Sequence, residues 1–456
     1  MYWTFVLVLR MLPAGLPRKE NFFIGAQIHS AMPIIPRSGE TINKARRRLS
    51  LVIIGNALMR IAGGASGVLV GIYLADLANH GSKVDAALVG TLGAVSFIAE
   101  LMGSVPMGLA SDAISPRALM ISGSLLAALA TQLFGMSGHV SIFFLSRALE
   151  GLGAAAIAPS LLAHLADVTA DDYALRARVM SYFELSLLAG LGLGGLVGSQ
   201  LWRVFGTVAF SVVALAYILC AGFLFLGAVG SRGYGAKQAL SGFYRALAEP
   251  ALRRLAPIWL CVNTIVGLWL GPTFFFLMTH RSPGHQFLSG LFADQPDRVG
   301  WVLLGYSLVF GTGVLAWSFV LPHISVRRAL RIALFAMLGV CLGFFLFNHS
   351  TDETAIARWL IGILTAVCIM VESGFTPAAL ALLAGAVGAQ AGRGAAMGIY
   401  SVLLSIGAIV GSLLAAVLGQ KFAVDGLIYG TLGMAVMGLI FLRWLTEPTS
   451  PGAENA

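Results

Sequence analysis

The amino-acid sequence predicts an all-α integral membrane protein of twelve transmembrane helices, arranged as two pseudo-symmetric six-helix bundles. Three observations predict it. Apolar residues make up 58% of the chain and charged residues only 11%, against about 25% charge in an ordinary soluble domain, so most of the surface has to face lipid. Twelve apolar runs each approach or exceed the roughly 20 residues that cross a bilayer core. The second six runs also repeat features of the first six.

The runs lie near 51–75, 88–110, 118–138, 141–166, 180–202, 207–229, 255–279, 300–321, 329–347, 355–384, 396–419 and 426–445. Only one sizeable interruption separates them, 231–254, after the sixth run. The organisation that follows is a tail over 1–50, a bundle over 51–230, a linker over 231–254, a second bundle over 255–445 and a tail over 446–456. Met1–Leu12 is apolar but too short to span, and it lacks the cationic leader of a signal peptide. It reads either as a surface-lying anchor or as an extension ahead of a start at Met32, and whether 1–31 belongs to the native protein stays open. The 55 glycines suit helices that pack closely without a hydrophobic drive between them.

Charge placement gives the orientation. If the N-terminus is cytoplasmic, only Lys83, Arg203, Arg281, Arg298 and Lys421 fall on outer connections, and Arg60, Arg147 and Arg358 fall in or beside spans. The remaining lysines and arginines, most of the 29, lie on inner segments. The positive-inside bias therefore puts both termini in the cytoplasm of a multi-pass inner-membrane protein. The net charge of +9 is a topology signal, and no nucleic-acid partner is expected. Cys220, Cys261, Cys341 and Cys368 lie inside apolar runs without paired or metal-ligand spacing, which excludes a disulfide framework. His280 and His285 lack companion ligands. No metal and no cofactor are expected.

The repeat is carried by residues that do not match cheaply. At one constant offset Arg176, Met180, Gly190 and Gly194 fall on Arg393, Met397, Gly407 and Gly411. At closely similar offsets Arg117 falls on Arg328, Arg147 on Arg358, and Pro159 on Pro377. Parallel six-helix repeats point to a rocking-bundle transporter with its site between the halves at mid-membrane.

Three motifs bear on this. Gly108-Leu-Ala-Ser-Asp112-Ala-Ile-Ser-Pro-Arg117 joins the second and third runs, with an anion at a helix boundary where backbone N–H groups favour it. Arg147-Ala-Leu-Glu150-Gly-Leu-Gly-Ala-Ala lies in the fourth run, and Gly190-Leu-Gly-Leu-Gly194-Gly-Leu-Val-Gly198-Ser in the fifth. The first resembles the loop signature of the major facilitator superfamily, with Ala113 and Ser115 in place of a usual basic residue and glycine. The second is similar to that family's R-x-x-Q-G-x-G-A-A signature, with Glu150 for glutamine. The third is similar to the fifth-span signature of its twelve-helix drug/proton antiporters, with Gly195 for proline. The resemblance covers about 50–446. It implies the major facilitator fold, a cytoplasmic latch built from Gly108, Asp112 and Arg117, a role for Arg147 in proton coupling, and a central cavity lined by spans one, four, seven and ten.

Ionisable groups inside spans are costly and mark functional positions. By helical rise Arg60 and Glu100 lie roughly 14 and 18 Å into their spans. The proton-coupling candidates are Arg147, Glu150, Glu372 and Glu100. Arg147 and Glu150 lie at i and i+3 and read either as a coupling pair or as a static ion pair. Arg60 and Glu100 have an equally open structural reading, mutual neutralisation across spans one and two. Glu372 has no cation within a turn and is followed by Ser373, Thr376 and the helix-bending Pro377. Asn56, Arg60, Asn263, Trp269, Ser373 and Thr376 are the substrate-cavity candidates. Gly190, Gly194, Gly198, Gly407 and Gly411 are helix-packing positions. The functional expectation is proton-coupled export of small amphipathic molecules by a monomer, partnered by its substrate, protons and the bilayer. The alternative is a symporter or facilitator for sugars or organic anions with Arg60 as anion partner. The chain carries no H-E-x-x-H, G-x-S-x-G or P-loop, so an enzyme is not expected.

Overall fold

The computed structural model describes residues 42–113, 115–169, 173–228, 250–281, 285–351, 355–386 and 393–445. Among them are fifteen α-helices: α1 Ile42–Asn79, α2 Ala86–Ala113, α3 Pro116–Met136, α4 Val140–Val168, α5 Tyr173–Ala189, α6 Gly195–Phe205, α7 Ala209–Gly227, α8 Pro250–Leu270, α9 Pro272–Thr279, α10 Val299–Val320, α11 Val326–Asn348, α12 Ala355–Glu372, α13 Phe375–Ala386, α14 Arg393–Phe422 and α15 Val424–Leu442. The tails over 1–41 and 446–456 and most of the linker, 229–249, lie outside the described residues.

Twelve crossings result because three spans are broken. In the fifth, α5 and α6 are joined by a π-helical segment, Gly190–Gly194. In the seventh, Gly271 adopts an extended backbone before Pro272 opens α9. In the tenth, α12 ends at Glu372 and α13 begins at Phe375. Among the described residues eleven helical stretches are long and apolar enough to cross a membrane, and one of them, Leu185–Gly227, has 43 residues. That is about twice the length a bilayer needs. It reverses at Gly206, whose φ of +54° suits a residue without a Cβ, and so supplies spans five and six. The first helix begins at Ile42 rather than near 51, since its cationic turn (Lys44 to Arg48) continues the apolar run outward.

The repeat reappears as packing. A Cβ on Gly190, Gly194 or Gly198 would come within 2.6–2.7 Å of the backbone of α1 at Arg60, Ile61 and Ala65. On the other half, a Cβ on Gly407 would meet Asn263, and one on Gly411 would fall 2.2 Å from the Thr264 carbonyl of α8. Bare backbone at these positions lets helices approach closely, which is the packing available where lipid is as apolar as the side chains.

Among the described residues the apolar clusters join the two bundles at one end. At the end remote from Ile42 and Leu442, a single apolar cluster draws on both halves, with Ile72, Tyr73 and Phe210 beside Phe275, Leu303 and Val424. At the near end the described residues form separate clusters, one within each half: Leu49, Leu161 and Phe183, and Leu255, Trp259 and Leu330. Hydrogen bonds follow the same division. Asn79 Nδ2 donates to the Thr279 carbonyl at 3.1 Å, while its Oδ1 pairs with His280 Nδ1 and accepts from Arg281 N, both at 2.9 Å. Gln200 Nε2 donates to the Asp297 carbonyl at 3.1 Å. The far end is closed by direct contact between the halves.

Candidate functional site

The N-terminal bundle gathers Arg60, Glu100, Arg147 and Glu150 into one cluster, with Arg147 buried and the other three half-buried. Arg147 and Glu150 share a face of α4 and form an ion pair. The second Glu150 oxygen accepts from Ser66 Oγ of α1 at 3.1 Å. Glu100, from α2, lies within electrostatic reach of Arg60 and Glu150. The Arg60 guanidinium sits over the Phe183 ring, 5.2 Å from its centroid, a cation–π arrangement. Tyr217 of α7 completes the group, within reach of Glu150, Arg147 and Arg60. Two arginines face two glutamates, so the cluster is neutral as a whole.

The C-terminal bundle holds Glu372. Among the described residues it makes no hydrogen bond and no ion pair, and its electrostatic neighbours are Tyr306 of α10 and Cys341 of α11. It ends α12 just where the tenth span breaks. The break has a local cause: Pro377 has no N–H to donate one turn back, and Ser373 Oγ turns onto the Met370 carbonyl at 2.8 Å. At the break the Val371 carbonyl accepts from Trp317 Nε1 at 2.9 Å and, more distantly, from Gly374 N at 3.4 Å. The Trp317 ring stands so close to Gly374 that a Cβ there would lie 2.2 Å from it. A carboxyl group is thus held at an interrupted helix end, between α10 and α11.

The other candidates are placed as follows. Asn56 is buried and donates to Ser186 Oγ at 2.7 Å, tying α1 to α5. Asn263 is buried against Gly407, and its Nδ2 has no partner among the described residues. Trp269 turns toward α15 and α11, donating to Thr431 Oγ1 at 2.7 Å and stacking on Phe344. Thr376 lies beside the break and is half-buried. Arg117 of the loop motif stacks on Phe225, 4.4 Å from the ring centroid, while the surroundings of Gly108 and the side chain of Asp112 lie outside what the structure describes. The repeat partner of Arg147, Arg358, sits at the far surface over Phe287.

Sequence reasoning missed Ser66, Tyr217, Tyr306 and Trp317. A hydroxyl-bearing or indole side chain in an apolar run is a weak signal alone, since Ser and Thr also bond back to their own helix. Among the described residues no group of three or more His, Cys, Asp or Glu residues could hold a metal ion.

The description of the Major Facilitator Superfamily matches residues 52–368 and 286–456. The chain belongs to this family. Membership makes it a membrane transporter rather than an enzyme. Among curated relatives, it is 34% identical over 106 residues to multidrug resistance protein 2 of Bacillus subtilis (strain 168), covering 23% of this chain and 26% of that one. It is 26% identical over 155 residues to the gentisate transporter of Corynebacterium glutamicum, covering 34% and 33%. It is 32% identical over 125 residues to the human chromaffin granule amine transporter, covering 27% and 22%. Each match thus spans a third or less of the relative's length. Solved structures match almost end to end. A bacterial homologue of the human lysosomal transporter Spinster, inward-facing and unoccupied, superposes with a TM-score of 0.68 at 14% identity over 89% of this chain and 97% of that one. The nucleoside transporter NupG gives 0.67 at 12% identity over 87% and 98%. These structures establish the major facilitator fold of the chain.

Proposed function

We propose that the chain is a proton-coupled secondary transporter that exports small amphipathic molecules by alternating access, acting as a monomer in the inner membrane. The observation that carries this reading is Glu372. A charge there has no counter-ion among the described residues, and burying an uncompensated charge costs several kcal/mol. Gaining or losing a proton therefore changes the cost of keeping this broken helix end dry. Glu372 is the proton carrier in this reading, and the neutral four-charge cluster of the first half is its rigid counterpart. The positive-inside bias turns the near end toward the cytoplasm, so the closed far end makes this the inward-facing state. Similarity to multidrug resistance proteins 1 and 2 of Bacillus subtilis supports export of amphipathic compounds.

The second reading, uptake of an organic anion, draws on the similarity to the gentisate transporter, with Arg60 as the anion partner. Glu100 beside Arg60 already supplies a negative charge, so the first reading is preferred. Reconstitution in liposomes tests it. An imposed pH gradient should drive substrate flux in the wild type. Glu372→Gln should keep substrate counterflow and lose the gradient-driven component. Unchanged gradient-driven flux in that variant would reject the assignment.

A further inference from the structure

Away from the buried charges, a cavity of about 1060 Å³ opens at the far end, bordered by Arg203, Asp297, Arg298, Trp301 and Trp359. Three spans converge there: Arg203 comes from the last turn of α6, Trp301 from the first turn of α10, and Trp359 from the start of α12. Each residue lies near the end of its helix, the level at which a span of this length is expected to reach the headgroups. Neither guanidinium has a hydrogen-bond or ion-pair partner among the described residues, although the Asp297 carboxylate shares the cavity. Two cations against one carboxylate leave a positive site at headgroup depth.

The tryptophans belong to the same surface. Trp301 is 58% exposed and Trp359 is 77% exposed. Indoles concentrate at headgroup level because one edge is polar and the body is apolar. Below Trp359, Ile363 and Val367 follow at helical spacing, 59% and 50% exposed. They continue the stripe down the lipid-facing side of α12. On α10, Val302 and Leu308 are similarly exposed beside them. A positive recess with an indole on each side, above a continuous apolar track, matches a molecule with a phosphate at one end and acyl chains at the other.

We propose that this recess is a binding site for one anionic phospholipid of the far leaflet, its phosphate held between Arg203 and Arg298 and its chains laid along α12. The occupant is a lipid and not a free anion, because the track is part of the site. The lipid bridges α6 of the first bundle to α10 and α12 of the second, at the end where the halves meet. It therefore favours the far-closed arrangement.

Native mass spectrometry of the purified full-length protein in detergent, titrated with phosphatidylglycerol or phosphatidylcholine, tests this. The wild type should retain one saturable phosphatidylglycerol. The double variant Arg203→Gln/Arg298→Gln should bind it roughly 30-fold more weakly, the attraction lost with two surface cations. Lys421→Gln, which removes a cation elsewhere on the same face, should bind as the wild type does. Phosphatidylcholine should bind weakly and equally to all three, and millimolar inorganic phosphate should not displace phosphatidylglycerol. Undiminished phosphatidylglycerol retention in the double variant would overturn the site, as would equal loss in Lys421→Gln. Displacement by inorganic phosphate would overturn the lipid in favour of a small-anion site. All three substitutions alter exposed side chains, so a matched melting temperature in lipid-free detergent checks that both variants are folded.

Discussion

Gly190 packs on Arg60 in the first bundle, and its repeat partner Gly407 packs on Asn263 in the second. The same close approach of two helices thus presents an arginine on one side of the molecule and an amide on the other. The consequence reaches the carboxylates. In the first bundle Glu100 and Glu150 lie among arginines, with a hydroxyl from Ser66. In the second, Arg358 lies at the surface, and among the described residues Glu372 has no cation beside it. The repeated positions share close backbone contacts and differ in the charges beside them. A neutralised cluster is suited to holding helices together, and a lone carboxyl to changing state.

This contrast can be broken experimentally, and the largest effect belongs to the lone carboxyl. Glu372→Gln should abolish gradient-driven flux, measured in proteoliposomes, without lowering thermal stability. Glu150→Gln should do the reverse. It leaves Arg147 buried without its partner, which costs about 3–5 kcal/mol and should appear as a large fall in melting temperature in detergent. If Glu150→Gln were stable but uncoupled, the roles of the two halves would be exchanged. Gly190→Val and Gly407→Val should each destabilise by about 1–3 kcal/mol through forced separation of packed helices. Equal costs in the two variants would support equivalent packing in the two halves. Trp317→Phe removes the donor to the Val371 carbonyl and should cost about 1 kcal/mol, read as a smaller fall in melting temperature and altered coupling.

The smallest effect concerns the clasp at the far end. Burial holds the His280 imidazole below its ordinary value of 6.5, so the closed arrangement favours the neutral ring. Above that pH the ring is neutral whether the clasp is open or closed. As the pH falls from 6.5 toward the lowered value, an opened clasp takes up the proton more readily, and the closed state loses stability. Labelling of a cysteine placed at Ser82 should therefore rise modestly between pH 7.5 and pH 5. His280→Gln should remove that pH dependence, and Asn79→Ala should raise labelling at every pH.

Much of this was legible in the residues. The apolar runs gave the crossings, because bilayer thickness imposes a length that composition reveals directly. The glycine spacing located the close helix pairs, since only a missing Cβ permits that approach. The pairing of Arg147 with Glu150 followed from helical spacing alone. The partners of these groups were less accessible. Ser66 lies far from Glu150 in sequence and Trp317 far from Val371, and nothing local announces a contact made across helices. The breaks in spans seven and ten were only half visible: Pro272 and Pro377 mark them, but their position depends on Gly271 and on the Trp317 ring beside Gly374. Trp269 illustrates the limit, since an indole in a cavity-lining span turned toward α15 and α11.

Sequence by itself determined the class, the number of crossings, the twofold repeat and which residues carry charge at depth, because hydrophobic length and the cost of burying ions act on each segment separately. Tertiary structure decided which charges meet. It placed Arg60 and Arg147 beside Glu100 and Glu150, left Glu372 apart from them, and joined the bundles at one end. Those outcomes depend on how helices rotate and cross, and packing sets that only once all the helices are present.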